Sequence, residues 1–278
     1  WNVADGRPFW RAPALLASRA LFTHRGWLHP GDDRLPVTES RPSAKWRQAI
    51  AARGRMASEA AAAGLLCLAT HDDHLDLWDQ ATDRRLRDMR FEEMHRVEAT
   101  PAGCLVLAGD RVEMLDRTGP VRRLVDGDAT AVTWSSPDVL VAAGRQVLEM
   151  SPRGEVRRTL EADVGVTALA RSKDRWLVLG FREGDIELME MSTGRRRTGF
   201  SFEDIPASPV VSLRVGEKNT LVAGFGNGLV GLWNLESGKR LDHARLHGSV
   251  THLLTSRRHL IAATELGSFL VWDLGGFS

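Results

Sequence analysis

The stretch VVSLRVGEKNTLVAGFGNGLVGLWNL, residues 210–235, contains the pattern that decides the fold of this chain. It has a short alternating run, a polar turn, a mostly apolar run, a tight glycine turn and a second alternating run. Alternation with a period of two is typical of a strand exposed on one face, and a nearly continuous apolar run is typical of a strand buried on both faces. The segment therefore predicts three successive short strands joined by turns.

The same pattern recurs along most of the chain, and a basic alternating stretch that reads as a fourth strand follows the copies. Other copies of the pattern occupy residues 95–115, 131–150, 166–191 and 250–274. The third runs close at Trp78, Leu115, Met150, Met189, Trp233 and Trp272, which lie 35 to 44 residues apart. Four short strands per 40 residues or so, without intervening helices, are typical of a β-propeller blade. The sequence thus predicts an all-β propeller.

Three blade endings carry a family resemblance. The segments LDLWDQATDRRL (75–86), LVGLWNLESGKRL (229–241) and FLVWDL (269–274) resemble the blade endings of the WD-repeat family. The resemblance extends over nearly the whole chain apart from about 28–63. Its motifs are degenerate, because three blades have Leu or Met where the family has Trp. The resemblance thus implies a propeller of the degenerate bacterial type, in which apolar packing replaces part of the family's polar network.

We expect a single propeller domain over residues 1–278, a fragment of a longer chain because it opens at Trp1 without an initiator Met. Six blades are the expected number, and seven are the alternative. The segment SAKWRQAIAARGRMASEAAAAG (43–64) is rich in helix formers and predicts a helix near 44–63. The expected parts are an outer strand at 6–13 that closes the last blade, a first complete blade at 20–79 with an insert at 28–63, and five further blades at 95–274.

Composition excludes several classes of protein. Lys and Arg number 37 against 36 Asp and Glu, so no net field gathers nucleic acid or anionic lipid. No apolar run reaches the length of a membrane helix, and no signal peptide opens the chain, so we expect a cytoplasmic protein without membrane contact. Cys67 and Cys104 are too few for a disulfide scaffold. Both fall in predicted second strands, where we expect buried, inert thiols.

Two clusters of titratable residues raise the question of a metal or catalytic site. The run His71, Asp72, Asp73 and His74 could ligate a metal, but it falls in a tight turn where Asp is a normal turn former. Asp32 and Asp33 lie near His24 and His29, yet no nucleophile elbow or phosphate-cradling loop accompanies them. We therefore expect no catalytic residue, no metal and no cofactor.

Paired arginines recur at one place in four successive blades. They are Arg84 and Arg85, Arg122 and Arg123, Arg157 and Arg158, and the triplet Arg195, Arg196 and Arg197. In a propeller these residues form a belt on the outer strands. Charged outer strands discourage association between sheet edges, which is the expected role of the belt. Contact with an acidic or phosphate-rich partner is the alternative.

The family resemblance implies a rigid disc whose faces are built from turns, which suits recognition. We expect a non-enzymatic platform for protein–protein interaction, a C-terminal regulatory or sensor propeller of a larger bacterial signalling protein. Its partner is another protein or another domain of the same chain, and nucleic acid is an unlikely partner. The expected contact residues lie in the turns between second and third strands and in the loops between blades: His71, Asp72, Arg90, His95, Asp110, Asp126, Asp128, Arg145, Arg182, Asp204, Asn227 and His247.

Two other classes of function stay open. One is a hydrolase or lyase that uses the central channel of the propeller, for which the predicted first strands offer only Arg96, Glu98, Arg214 and His252 as charged or titratable groups. The other is an anionic-ligand or nucleic-acid binder that uses the arginine belt, whose affinity would fall steeply with salt.

Overall fold

The computed structural model shows a chain of short strands. It describes residues 15–17, 20–23, 26–30, 37–40, 54–60, 63–70, 72–163, 165–172, 175–200, 202, 207–216, 219–255, 259–264, 266 and 269–273. The chain divides into two compact units, a central unit of residues 42–166 and a terminal unit made of residues 1–41 and 167–278. No α-helix occurs in the described ranges.

The described strands number 27, and most of them have four to seven residues. They are β1 (Leu15–Ala17), β2 (Ala20–Thr23), β3 (Gly26–Pro30), β4 (Val37–Ser40), β5 (Gly54–Ala60), β6 (Leu65–Thr70), β7 (His74–Asp79), β8 (Arg84–Arg90), β9 (Met94–Ala99), β10 (Gly103–Ala108), β11 (Arg111–Asp116), β12 (Arg122–Val125), β13 (Ala129–Ser135), β14 (Asp138–Ala143), β15 (Gln146–Met150), β16 (Val156–Glu161), β17 (Val166–Ser172), β18 (Trp176–Phe181), β19 (Ile186–Glu190), β20 (Arg196–Arg197), β21 (Val210–Val215), β22 (Thr220–Phe225), β23 (Leu229–Asn234), β24 (Arg240–Arg245), β25 (Val250–Thr255), β26 (His259–Thr264) and β27 (Phe269–Asp273).

These strands form seven sheets in which neighbours in the chain are neighbours in the sheet. The central unit holds the sheets β5–β8, β9–β12 and β13–β16. The terminal unit holds β1–β4, β17–β20, β21–β24 and the three-stranded β25–β27. An all-β architecture of repeated sheets is therefore confirmed. The outer strand expected at 6–13, which would close the last blade, lies outside the described residues.

Residues 20–79, expected to form one blade, are divided between two sheets. The segment 20–40 pairs with β1 in the first sheet, and β5 begins the second sheet at Gly54. The seven described sheets match the alternative count of seven. The expectation of six blades assigns the long segment before Trp78 to a single blade that is interrupted by an insert.

The helix expected near 44–63 is wrong over residues 54–60, which form strand β5, whereas residues 44–53 lie outside the described part. Ala, Arg, Met and Glu favour a helix intrinsically. However, β5 pairs with β6 along its whole length, from Gly54 opposite Thr70 to Ala60 opposite Leu65. Strand β6 is fully buried, so its backbone groups need partners on both edges. This tertiary requirement outweighs the local helix propensity.

In the sheets from β6 onward whose burial is described, the core lies along the second strand. Strands β6, β10 and β22 are buried at every residue, as their continuous apolar runs predicted. Fourth strands are the least buried, and β16 has five exposed residues out of six. The four-stranded sheets between β5 and β24 therefore have a buried inner part and an exposed outer edge, and their turns lie at the two ends.

The two cysteines are bonded to each other. Cys67 on β6 and Cys104 on β10 form a disulfide with a Cα–Cα distance of 5.7 Å, and both residues are fully buried. The expectation of burial is confirmed, but the expectation of two inert thiols is wrong. Nothing in the sequence indicates this pairing, because the second strands of successive sheets come together only on folding. The bond joins two adjacent sheets of the central unit.

Candidate partner-binding face

At one end of the sheets of the central unit, the turn between the second and third strands is hydrogen-bonded to the loops that join neighbouring sheets; we call this end of a sheet the turn face. In the central unit the donors are backbone N–H groups and the acceptors are backbone carbonyls. The pairs are Phe91 to Asp73 (3.0 Å), Gly109 to Glu93 (3.0 Å), Ala129 to Asp110 (2.9 Å), Gly144 to Asp128 (3.0 Å) and Ala162 to Arg145 (2.8 Å). The main chain of the turns and loops is therefore tied together at every junction in this unit.

The terminal unit repeats this arrangement. The Gly226 N–H donates to the Pro209 carbonyl (2.9 Å) and the Leu246 N–H donates to the Gly228 carbonyl (2.8 Å). Gly228 has a φ of 82° and its missing Cβ would lie 2.3 Å from the Leu246 carbonyl oxygen, so a side chain at this turn would break the junction. Both units thus build the turn face from main-chain bonds.

Two of the predicted contact residues, His95 and Asp110, line one depression on the turn face of the central unit. Its volume is about 680 Å³, and its other lining residues are Glu92, Glu93, Gly109 and Arg111. Three of the ionisable side chains in its wall are carboxylates. Glu92 and Glu93 were not among the site residues predicted from the sequence. Both lie between Arg90 and His95, which were predicted, so their position in the chain could have identified them. The depression presents an acidic, histidine-containing surface.

The other predicted residues of the central unit fall into two groups. Arg90 and Asp128 are exposed, and Asp128 holds a φ of 59° in its loop. Asp72, Asp126 and Arg145 have intramolecular partners. The Thr70 hydroxyl donates to the Asp72 carboxylate, Arg123 lies 3.2 Å from Asp126, and Arg145 lies 3.9 Å from Asp163. The two arginine pairs are exposed and therefore weak enough to exchange for a partner, whereas the bond from the buried Thr70 is part of the turn.

In the terminal unit, Arg182 and His247 are exposed at the turn face. Asn227 has a structural role, because its side-chain oxygen accepts the Leu229 N–H (3.1 Å) and closes the turn. His71 and Asp204 lie outside the described residues.

The arginine belt lies on fourth strands, as predicted, and most of its members pair with acids of their own sheet. Arg85 lies 3.2 Å from Asp76, and Arg122 lies 2.7 Å from Asp116. The hydrogen-bonded carboxylate of Asp116 raises the pKa of Arg122. Further pairs join Arg123 to Glu113, Arg157 to Asp138, Arg158 to Glu149 and Arg196 to Glu187. These pairs favour a structural role for most of the belt.

Two of the charged residues of the first strands, Arg96 and Glu98, form a bridge between sheets. Arg96 binds Glu98 through Nε (3.0 Å) and a terminal nitrogen (2.7 Å). Glu98 also accepts the Trp134 N–H (2.6 Å) and the Thr133 hydroxyl (3.1 Å) from the next sheet. Glu98 therefore joins two sheets of the central unit.

Within the described ranges, no group of three or more His, Cys, Asp or Glu residues is arranged to hold a metal ion. The same ranges hold no helix of the length and apolarity needed to cross a membrane. Of the run from 71 to 74, Asp73 adopts a φ of 62° and Asp72 bonds to Thr70, which are features of a tight turn.

No protein-family model matches this chain, and no curated protein matches it by sequence. Solved structures do match it in fold. The computationally designed Ika8 protein is 22% identical over 76% of this chain and 68% of its own, with a TM-score of 0.57. KlHsv2 with loop 6CD replaced by a Gly-Ser linker is 8% identical over 91% of this chain and 89% of its own, with a TM-score of 0.66. At these identities the likeness concerns the fold alone.

Proposed function

We propose that this chain is a non-enzymatic platform for protein–protein interaction and that its turn face binds the partner. The observation that carries the proposal is the series of main-chain hydrogen bonds between turns and loops, together with the exposed charged side chains above it. A preformed surface binds without a large cost of ordering its own loops, so rigid turns that display variable side chains favour recognition.

The acidic depression of the central unit is the part of the turn face that we propose as the main contact. Glu92, Glu93, His95 and Asp110 are all exposed there, and Asp110 is fixed from behind by the bond that its carbonyl accepts from Ala129. A partner with a basic patch would match these carboxylates. Charge complementarity of this kind mainly raises the association rate and the specificity.

The alternatives have less support. An enzyme that uses the central channel needs acidic or basic side chains that are available to a substrate. Arg96 and Glu98 instead bind each other and form a bridge between two sheets. Nucleic-acid binding along the belt needs arginines that are available, and most of them have acidic partners in their own sheet. Both alternatives are nevertheless addressed by the experiment below.

The test is a pull-down from lysate of the source cell, with elution in rising salt and three baits. They are the natural chain, the turn-face variant Glu92→Lys/Asp110→Lys, and the matched control Asp88→Lys/Glu155→Lys. The control reverses two exposed charges of the same unit, one on the outer strand β8 and one in the turn before the outer strand β16. We expect a discrete protein that the natural chain and the control retain and that the turn-face variant loses. Equal retention by all three baits, or release of nucleic acid alone below about 0.3 M salt, would contradict the proposal.

We further propose that the seven sheets are the blades of a closed WD-repeat-like propeller, because closure removes the exposed sheet edges that otherwise invite aggregation. An experimental structure of the intact chain tests this, and an open arrangement would contradict it. The role as a regulatory or sensor module of a larger bacterial signalling protein stays a prediction from the resemblance. An antibody against residues 95–274 should detect a band well above 30.7 kDa in the source lysate.

The cytoplasmic location also stays a prediction, and the Cys67–Cys104 disulfide counts against it. Disulfides persist mainly in oxidising compartments, whereas the cytosol keeps most thiols reduced. Alkylation of the protein in cells lysed directly into denaturant, which makes the buried cysteines accessible, followed by mass measurement, distinguishes the two cases. Two alkylated cysteines indicate a reducing compartment, and none indicates an oxidising one.

A further inference from the structure

A cleft lined by four arginines lies in the terminal unit, at the end of the sheets opposite to the turn face. We call it the arginine cleft, and its lining residues are Arg175, Trp176, Glu190, Arg195, Arg196, Arg197 and Glu236. Its volume is about 610 Å³. One wall comes from the turns before β18 and before β20, and the other comes from the turn between β23 and β24 of the next sheet. The cleft is therefore built between two adjacent sheets.

The walls of the cleft are fixed by main-chain hydrogen bonds. The Met191 N–H donates to the Arg175 carbonyl (2.8 Å), and the Glu190 N–H donates to the Arg195 carbonyl (2.8 Å). On the opposite wall the Leu235 N–H donates to the Asn219 carbonyl (2.7 Å). Arg197 connects the two walls, because its guanidinium donates to the Glu236 carbonyl. The cleft is thus a preformed feature of the fold.

Positive charge is in excess in the cleft, since four guanidinium groups face two carboxylates. Both carboxylates already have partners. Glu190 lies 3.5 Å from Arg175 and accepts the Thr193 hydroxyl (2.8 Å), and Glu236 accepts an N–H of Asn219 (2.7 Å). Arg195 is exposed, and its side chain has no hydrogen bond or ion pair with any residue of the described part. It differs in this from the belt arginines that pair within their sheets.

The cleft also offers an aromatic surface. The Arg175 guanidinium lies over the half-buried Trp176 ring, 4.8 Å from its centroid. A guanidinium held on an aromatic face keeps its outward N–H groups available for a carboxylate, because the stacking uses the plane of the group and not its donors. Arg175 and Arg195 therefore both present donors from the same wall of the cleft.

From this geometry we infer that the arginine cleft binds an acidic peptide segment, one rich in Asp and Glu, of a protein partner. Planar guanidinium groups match carboxylates in paired hydrogen bonds. A nucleic acid matches the cleft less well, because its continuous phosphate backbone would have to pass Glu190 and Glu236. The chain as a whole also carries a net charge of only +1, so no wider field assists a polyanion. The arginine cleft is separate from the turn face, so the proposal for one surface can be contradicted while the proposal for the other holds.

The test measures binding of a fluorescent peptide with six consecutive glutamates to the intact chain by anisotropy at low salt. Two variants are compared, Arg195→Gln in the cleft and the matched control Arg153→Gln, which removes an exposed arginine from the corresponding turn of another sheet. We expect the natural chain and the control to bind equally and Arg195→Gln to bind about fivefold more weakly, the change for one charge-assisted contact. Lys at position 195 should recover part of the loss.

Three outcomes would overturn the inference. The first is no saturable binding of the peptide, and the second is equal weakening by Arg153→Gln and Arg195→Gln, which would indicate nonspecific attraction. The third is tighter binding of a single-stranded oligonucleotide that competes with the peptide at the cleft and weakens steeply with salt. Because Arg195 makes no side-chain contact within the described part, its replacement should leave the thermal unfolding midpoint unchanged, which excludes misfolding as the cause of a loss.

Discussion

The disulfide between Cys67 and Cys104 should contribute a large share of the stability of the central unit. The two cysteines are 37 residues apart in the sequence, and the bond closes that loop in the unfolded chain. The loop-entropy relation gives a stabilisation of about 4 kcal/mol at 25 °C for a loop of this length. A marginally stable domain has about 5 to 15 kcal/mol in total, so the loss of this bond is a substantial fraction.

The perturbation is the double variant Cys67→Ala/Cys104→Ala, and the measurement is urea unfolding followed by fluorescence of the buried tryptophans Trp78 and Trp233. Trp78 lies in the central unit and Trp233 in the terminal unit, so the spectrum reports on both. We expect the transition of the central unit to move to lower urea by the equivalent of about 4 kcal/mol. Reduction of the natural chain should produce a similar shift.

The reasoning fails if the double variant loses less than about 1 kcal/mol, because a bond of this span would then not restrict the unfolded chain as the relation assumes. It also fails if denatured, unreduced protein reacts with two equivalents of iodoacetamide. A chain with the disulfide takes up none. The alkylation measurement comes first, because it establishes the bond whose energy the unfolding measurement then reports.

Three further predictions concern single residues. Glu98→Ala should lower the free energy of unfolding, measured in urea, by about 2 to 4 kcal/mol, because it leaves several buried hydrogen-bond donors without an acceptor. A decrease below about 1 kcal/mol would count against the bridge between sheets. Gly224→Ala places a Cβ 2.3 Å from Val250 and should lower the free energy of unfolding by about 1 to 3 kcal/mol. Adding Val250→Ala should restore part of that loss. If the effects of the two changes are fully additive, the contact is excluded. The Thr82 N–H donates to the exposed Asp79 carboxylate (2.9 Å) and holds its pKa below 3.8. The hydrogen bond therefore stabilises the folded chain above that pKa, and this stabilisation is lost on acidification. Asp79→Ala should lower the urea midpoint near pH 6 but leave it unchanged near pH 2. A difference in midpoint that does not depend on pH would argue against the bond.

The strands were predictable from the sequence because their signals are local. A run such as TLVAGF, which forms β22, is apolar on both faces and can only be a buried strand or a buried helix, and its length and glycine turns decide between them. Strand β5 was not predictable in this way. Its residues favour a helix, and only the need of the buried β6 for a second partner makes it a strand.

Contacts between sheets were beyond the reach of the sequence. Nothing in the residues around Cys67 indicates that Cys104 will lie beside it, since the two meet only when successive sheets pack side by side. The arginine cleft has the same origin. The triplet 195–197 was visible as part of a belt, but its approach to Arg175 and Glu236 depends on how turns from two sheets come together. The sequence therefore indicated the turn face more readily than the cleft.

The main-chain bonds of the turn face have a consequence for how this surface can change over evolutionary time. Since the junctions at Asp110 and Arg145 are made by carbonyl and amide groups, the side chains at these positions contribute little to holding the structure. Such positions tolerate replacement, so new binding preferences can arise there without loss of the scaffold. Glycines such as Gly228 are the exception, because their conformation and lack of a side chain are what the junction requires. The turn face thus consists of glycine positions that cannot change and of intervening positions whose side chains can be replaced.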